Sequence, residues 1–217
     1  APPAGYSLYK RSDRNSSLVW EEKAPVSVAR SAADGVGAIN DEIYFVGGSN
    51  GSATNILESY DPKTNAWTSL TNIPTPRANT AAAVLHDKLY VIGGSNANGR
   101  LSVVEVFDPQ TKQWSTSQPL SSALSHCTAI GYGDRILVFG GEDSSNQRSD
   151  KVYEFNPSNS TWTNIATMPS ARYSVKLAIL EDRIWVIGGS TGANRLKLVE
   201  SFDPAAKTWR TEPELNF

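Results

Sequence analysis

Two histidines and one cysteine are all that this 217-residue chain offers toward base-assisted nucleophilic chemistry. A hydroxyl or thiol becomes a useful nucleophile when a base stands within hydrogen-bond reach, so the surroundings of each histidine decide the matter. His86 lies in the polar doublet His86-Asp87 between the apolar runs "TAAAVL" and "KLYVIGG", the setting of a solvated turn residue. His126 opens "HCTAIGY", a run of small residues, and reads as a polar residue at the start of a strand. No G-x-S-x-G, H-E-x-x-H, Walker loop or G-x-G-x-x-G context occurs, which leaves hydrolase, zincin and nucleotide readings without support. The carboxylate doublets Glu21-Glu22, Asp41-Glu42 and Glu181-Asp182 fall in turns or at strand ends, where solvated charge is the ordinary outcome. Arginine is the better prospect. Arg30, Arg77 and Arg172 each precede an inner apolar run, and a guanidinium so placed suits charge-assisted bonds to carboxylates.

The elements that must position these side chains form a repeat. Gly47-Gly48, Gly93-Gly94, Gly140-Gly141 and Gly188-Gly189 end four apolar runs at spacings of 46, 47 and 48 residues. Trp20, Trp67, Trp114, Trp162 and Trp209 form a ladder spaced 47, 47, 48 and 47. Each unit reads as four short strands: a small-residue apolar run, a polar turn, an apolar run ending in Gly-Gly, a loop, an alternating strand, an Asp-Pro turn and a strand opening on Trp. Asp61-Pro62, Asp108-Pro109 and Asp203-Pro204 supply the turn chemistry, and Asn156-Pro157 does the same job in the third unit. A four-stranded unit repeated at about 47 residues is a propeller blade, because one blade buries its faces only by stacking on its neighbours. The outer strands take large side chains where the wedge widens, which suits Tyr60, Phe107, Phe155 and Phe202, each seven residues before its Trp. The Gly-Gly pair answers a tight turn between closely pressed blades, where a Cβ would obstruct.

Composition narrows the partners. Lys and Arg number 20 against 22 Asp and Glu, with no basic stripe, so nucleic acid is not the expected partner. No run of 18 apolar residues marks a membrane span, and no targeting segment is evident. The chain begins "APPAG" without Met, as expected of a processed form or an excised segment. The lone Cys127 excludes an intramolecular disulfide and multi-cysteine metal sites and points to a reducing, cytoplasmic setting, although three sequons, at Asn15, Asn50 and Asn159, are also compatible with secretion.

An apolar run with Gly-Gly, then Glu before an aromatic-Asp-Pro, then Trp, resembles the kelch repeat. "PTPRANTAAAVLHDKLYVIGG" and "LSVVEVFDPQTKQW" are most similar to the kelch domains of BTB-kelch proteins, although no BTB segment is present. The resemblance implies an all-β, kelch-type β-propeller of four complete four-stranded blades (26–72, 73–119, 120–168 and 169–217) plus an N-terminal half blade (1–25), in a single domain over 1–217. Three positions depart from the pattern: Leu137 replaces a Tyr, Leu124 stands where Arg77 and Arg172 stand, and Tyr153 holds the position of Glu58, Glu105 and Glu200. Four and a half blades do not complete a six-bladed ring, which leaves a five-place ring, a piece of a larger ring, or closure by self-association.

Some kelch-like propellers are copper oxidases with a Cys–Tyr cofactor, but Cys127, Tyr132 and His126 match that set only superficially, and no cofactor or metal is expected. The resemblance implies a non-catalytic protein-interaction module, as in the substrate-recognition domain of a ubiquitin-ligase adaptor. The alternatives are a kelch-family enzyme acting on a sugar or sugar acid, and an actin-associated structural protein. Because strands alternate in direction, the second-to-third loops and the connections between blades share one face. That long-loop face is the expected partner surface, carrying Arg30, Arg77, Asn79, His126, Arg172 and Ser174 with Ser49, Ser95, Glu142 and Ser190, and suited to an acidic or polar peptide. Two uses are open to Arg77 and Arg172: capture of such a peptide, or pairing with a glutamate of an adjacent blade.

Overall fold

The computed structural model describes residues 21–216. Most of the expected half blade 1–25, including Trp20 and the Asn15 sequon, lies outside the described residues. Four antiparallel four-stranded sheets follow one another. The first holds β1 (Gly35–Ile39), β2 (Glu42–Val46), β3 (Leu57–Asp61) and β4 (Ala66–Ser69). The second begins with β5 (Ala81–Leu85) and β6 (Lys88–Ile92). A loop ladder of β7 (Ser95–Asn96) and β8 (Gly99–Arg100) follows, and β9 (Val104–Asp108) and β10 (Gln113–Ser117) complete the sheet. The third is preceded by β11 (Leu124–Ser125) and holds β12 (Thr128–Tyr132) and β13 (Arg135–Phe139), with β14 (Glu142–Asp143) in its loop, then β15 (Lys151–Asn156) and β16 (Thr161–Thr167). The fourth holds β17 (Lys176–Leu180), β18 (Arg183–Ile187), β19 (Val199–Asp203) and β20 (Thr208–Glu212). No helix among the described residues is long and apolar enough to cross a membrane.

Turn chemistry sets these boundaries. Asn40-Asp41, His86-Asp87 and Glu181-Asp182 all have positive φ, the double left-handed geometry that matches strand twist in a two-residue hairpin. Between third and fourth strands the side chains of Asp61, Asp108, Asn156 and Asp203 accept the backbone N–H two residues on, at 2.8, 2.9, 3.0 and 3.0 Å. In the third sheet a bulge between Val152 and Tyr153 lengthens β16.

One apolar cluster fills each junction between successive blades. Ile39 and Val46 meet Leu89 and Phe107 between the first and second. Ile92 and Val104 meet Ile136 and Phe155 between the second and third, and Phe139 and Val152 meet Ile184 and Phe202 between the third and fourth. Full burial of each such side chain contributes about 1.5–3 kcal/mol. The tryptophans close the outer rim. Trp67, Trp114, Trp162 and Trp209 stack on Tyr60, Phe107, Phe155 and Phe202 with centroids 5.1, 5.1, 5.0 and 4.8 Å apart. Three of the indoles donate to the chain entering their blade, at Ala24 O, Thr71 O and Gln118 O, 2.7–2.9 Å away. Trp209 Nε1 is buried without a partner. Its counterpart carbonyl belongs to Ala166, which the bulged β15–β16 ladder pairs with Val152.

All eight paired glycines have positive φ, between 61° and 103°. A Cβ on Gly47 would stand 2.5 Å from Arg77 O, and Cβ atoms on Gly93 and Gly140 would collide with Leu124 O and Arg172 O. The second glycine donates its N–H to the same carbonyl: Gly48 to Arg77 O at 2.9 Å, Gly94 to Leu124 O at 2.8 Å and Gly141 to Arg172 O at 3.1 Å. The glycine pair is therefore the socket that receives the next blade.

The long-loop face as the candidate functional site

Four residues at equivalent positions, Ala32, Asn79, His126 and Ser174, hold φ between 51° and 54° and begin the inner strands. Their backbones join head to tail. Asn79 N–H donates to Ala32 O (2.8 Å), His126 N–H to Asn79 O (2.9 Å) and Ser174 N–H to His126 O (2.9 Å). This ladder rims the opening above the inner strands, where a cavity of about 380 Å³ is lined by alanines, by Val36, Ile130 and Leu177, and by the Asp34–Lys176 ion pair at 3.3 Å. Beside each rim residue stands the residue following a Gly-Gly pair. Ser31 and Ser49, Ala78 and Ser95, and Tyr173 and Ser190 form paired bridges, and Ser125 pairs with Glu142. Asn79 Nδ2 donates to Ser95 Oγ at 3.3 Å, and Ser190 Oγ is half-exposed and bonded to Asn194 O at 3.0 Å. Asn79, His126, Ser174, Ser49, Ser95, Glu142 and Ser190 are thus gathered on one face.

The three arginines expected beside them are not available there. Arg30 and Glu58 are paired at 2.5 Å with side chains fully buried, the guanidinium lying 4.2 Å over the Phe45 ring. Arg77 is fully buried against Glu105 and also donates to Gly93 O and Val103 O, at 2.9 and 3.1 Å. Arg172 is likewise buried, with Nη1 2.7 Å from Glu200. Each glutamate stands on the third strand of the arginine's own repeat, not on an adjacent blade. The reason is electrostatic: a buried carboxylate left without its cation costs several kcal/mol, so the lead-in arginine turns inward. Burial tends to raise the Glu58 carboxyl, yet bonds from Ser27 and Arg30 hold it below its ordinary value.

Different cations take their place. Arg100, Arg148 and Arg195 bridge back to Ser95, Glu142 and Ser190, and each lies five residues before the third-strand position of Glu105, Tyr153 and Glu200. Ala53 holds that place in the first loop, bridged to Ser49. Arg100 is paired with Glu142 and donates to Ser125 Oγ at 3.0 Å. Arg148 stands 3.7 Å from Glu142, its guanidinium packed against Gly192 and 5.7 Å over the Tyr173 ring. Arg195 is exposed. His126 is half-buried, 3.1 Å from Ser125 Oγ and edge-on to Tyr173 at 5.5 Å. Burial lowers its pKa, and Arg100 adds to that against the opposing pull of Glu142 and Asp34. Together with Tyr173, Ser174, Ser190 and Arg195 it lines a groove of about 610 Å³.

Ser125 Oγ stands 3.1 Å from His126 Nδ1, but it is 1% exposed and also accepts from Arg100 Nε. Burial pushes the Cys127 thiol up to about 12, which removes its thiolate at neutral pH. His86 lies on the opposite, short-turn face, exposed and 3.3 Å from Asp134 of the next blade.

Comparisons agree with this architecture. Kelch-like protein 25 of Rattus norvegicus is 30% identical over 200 residues, covering 88% of this chain and 34% of that protein. Kelch repeat and BTB domain-containing protein 12 of Homo sapiens is 25% identical over 221 residues, covering 96% of this chain and 29% of that protein. The chain spans about a third or less of the length of these curated relatives. A solved structure titled "Structure of YjhT" superposes with a TM-score of 0.77 at 18% identity, over 89% of this chain and 68% of that one, a likeness of fold. The family described as Attractin/LZTR1 beta-propeller matches residues 9–214. A family match over nearly the whole chain, joined to four Gly-Gly blades, makes this a kelch-repeat β-propeller that belongs to the Attractin/LZTR1 beta-propeller family.

Proposed function

We propose that the chain is a non-catalytic interaction module that takes an acidic or polar peptide of a partner protein across its long-loop face. The observation that carries this reading is the recurrence of arginine at one loop position in three of four blades, Arg100, Arg148 and Arg195, beside a polar rim. Glu142 neutralises part of that charge and holds Arg100 and Arg148 in place, while the exposed Arg195 and the groove below it receive a carboxylate by charge-assisted bonds. Substrate recognition within a ubiquitin-ligase adaptor is the role we assign to such capture, on the strength of its likeness to BTB-kelch proteins. The buried, free Cys127 suits the cytoplasmic setting that this role requires.

Selection of peptides from a displayed acidic library, followed by chemical-shift mapping, tests the reading. Perturbations are expected at Ser95, His126, Tyr173, Ser190 and Arg195. Perturbations confined to the short-turn face around Asp87 and Lys112 would contradict it.

A further inference from the structure

We propose that Asn50-Gly51, at the tip of the first long loop, is a site of spontaneous deamidation that turns this loop from neutral to anionic. Peptide capture plays no part in that assignment; only the effect on affinity rests on it.

Two Asn-Gly pairs occur in the chain, Asn50-Gly51 and Asn98-Gly99, and both lie in second-to-third-strand loops of the long-loop face. In each pair both residues are exposed, and the glycine has positive φ, 110° and 115°, with open space where a Cβ would stand. Sequence and exposure therefore do not separate them. The backbone does. Gly99 is held in the β7–β8 ladder opposite Asn96, and Asn98 N–H donates to Asn96 Oδ1 at 2.9 Å. The first loop is pinned on either side of its tip, by the Ser49–Ala53 bridge and by a bond from Asn50 N–H to Ser52 O at 3.2 Å. Among the described residues neither the Gly51 N–H nor the Asn50 carboxamide has a hydrogen-bond partner.

That freedom is what the chemistry needs. Once a base in solvent takes its proton, the Gly51 nitrogen forms a bond to Asn50 Cγ. The Cγ–Nδ2 bond breaks, and the nitrogen leaves as ammonia with a proton from water. Water then opens the five-membered imide. Cleavage at the side-chain carbonyl gives aspartate, and cleavage at the main-chain carbonyl gives isoaspartate. Glycine favours closure because it sets no Cβ against the forming ring and lets the backbone turn. At Asn98 the same closure must first open the ladder, which costs the free energy of a local unfolding.

A change of charge follows. Arg100 stands two residues after Asn98, whereas Ala53 holds the corresponding place in the first loop. A carboxylate formed at position 50 therefore has no arginine in its own loop to neutralise it, and it opposes an acidic ligand.

The test incubates the folded chain in mildly alkaline buffer and follows both Asn-Gly peptides by mass spectrometry, with fragmentation that distinguishes isoaspartate. Asn50 should gain one mass unit at least about tenfold faster than Asn98. In denaturant, where no ladder exists, the two rates should converge. Asn50→Gln, whose longer side chain closes the imide slowly, should suppress the early product and leave the thermal midpoint unchanged. Equal rates in the folded chain overturn the proposal, as does modification that starts at Asn98 or an early product that persists in Asn50→Gln. Affinity is read separately. For a peptide selected on the fresh chain, the aged chain should bind about two- to fivefold more weakly, and aged Asn50→Gln should not. Modification of Asn50 with unchanged affinity leaves the deamidation site standing and contradicts peptide capture beside this loop.

Discussion

Leu124 and Tyr153 pack into one apolar cluster at the two positions where, one blade earlier, Arg77 and Glu105 form a buried ion pair. The third repeat has thus exchanged a desolvated salt bridge for an apolar contact without changing the blade. Such an exchange is expected to be neutral or favourable when both partners change, and costly when only one does.

A double-mutant cycle exposes that coupling. Arg77→Leu alone strands the Glu105 carboxylate and should cost about 3–5 kcal/mol. Arg77→Leu with Glu105→Tyr should recover about 1–3 kcal/mol of that loss in denaturant unfolding. Additive losses would show that the two positions are not partners.

The rim tryptophans differ in a way that one substitution can read. Trp114 Nε1 donates to Thr71 O at 2.7 Å, whereas Trp209 Nε1 has no acceptor. Trp114→Phe should therefore cost about 1 kcal/mol more than Trp209→Phe, the net value of one hydrogen bond. Equal losses would place the stabilisation in ring burial alone.

His126 should titrate below its ordinary value of 6.5, since burial disfavours the imidazolium. A depressed folded pKa means that the fold binds the proton less well than the unfolded chain. The contribution of His126 to stability is then full above about pH 6.5 and is lost as pH falls through the folded value. Imidazole proton shifts followed by NMR should give a midpoint under 6.5, and His126→Gln should flatten the midpoint's dependence on pH between about 7 and 5. A midpoint above 6.5 would mean that Glu142 and Asp34 outweigh burial.

Cys127 should resist an aromatic disulfide reagent in the folded chain and react fully once unfolded, because its thiol is buried and its pKa is pushed up to about 12. Rapid labelling of the native protein would contradict the packing of the second and third blades.

Much of the fold was legible because propeller geometry repeats its demands. A socket for the next blade requires Gly-Gly, a tight outer turn requires Asp-Pro, and both recur at a fixed period. The lead-in arginines were expected on the partner face, with pairing to a glutamate of an adjacent blade left open for Arg77 and Arg172, because their partners stand 28 residues away on another strand. A signal existed, since Leu124 and Tyr153 depart from the pattern together in one repeat. The loop arginines were missed because the loops differ in length when counted from the glycines. Counted back from the third strand, Arg100, Arg148 and Arg195 fall in one register.

Peptide capture by those arginines is the central claim, and charge reversal at the rim measures it. For a peptide selected on the native chain, Arg195→Glu with Arg148→Met should weaken binding at least about tenfold, since each charge-assisted bond is worth roughly 1.5–3 kcal/mol. The residual binding should depend less on salt, and Lys112→Glu on the opposite face should leave affinity unchanged. Undiminished affinity in a folded Arg195→Glu, Arg148→Met chain would contradict the account.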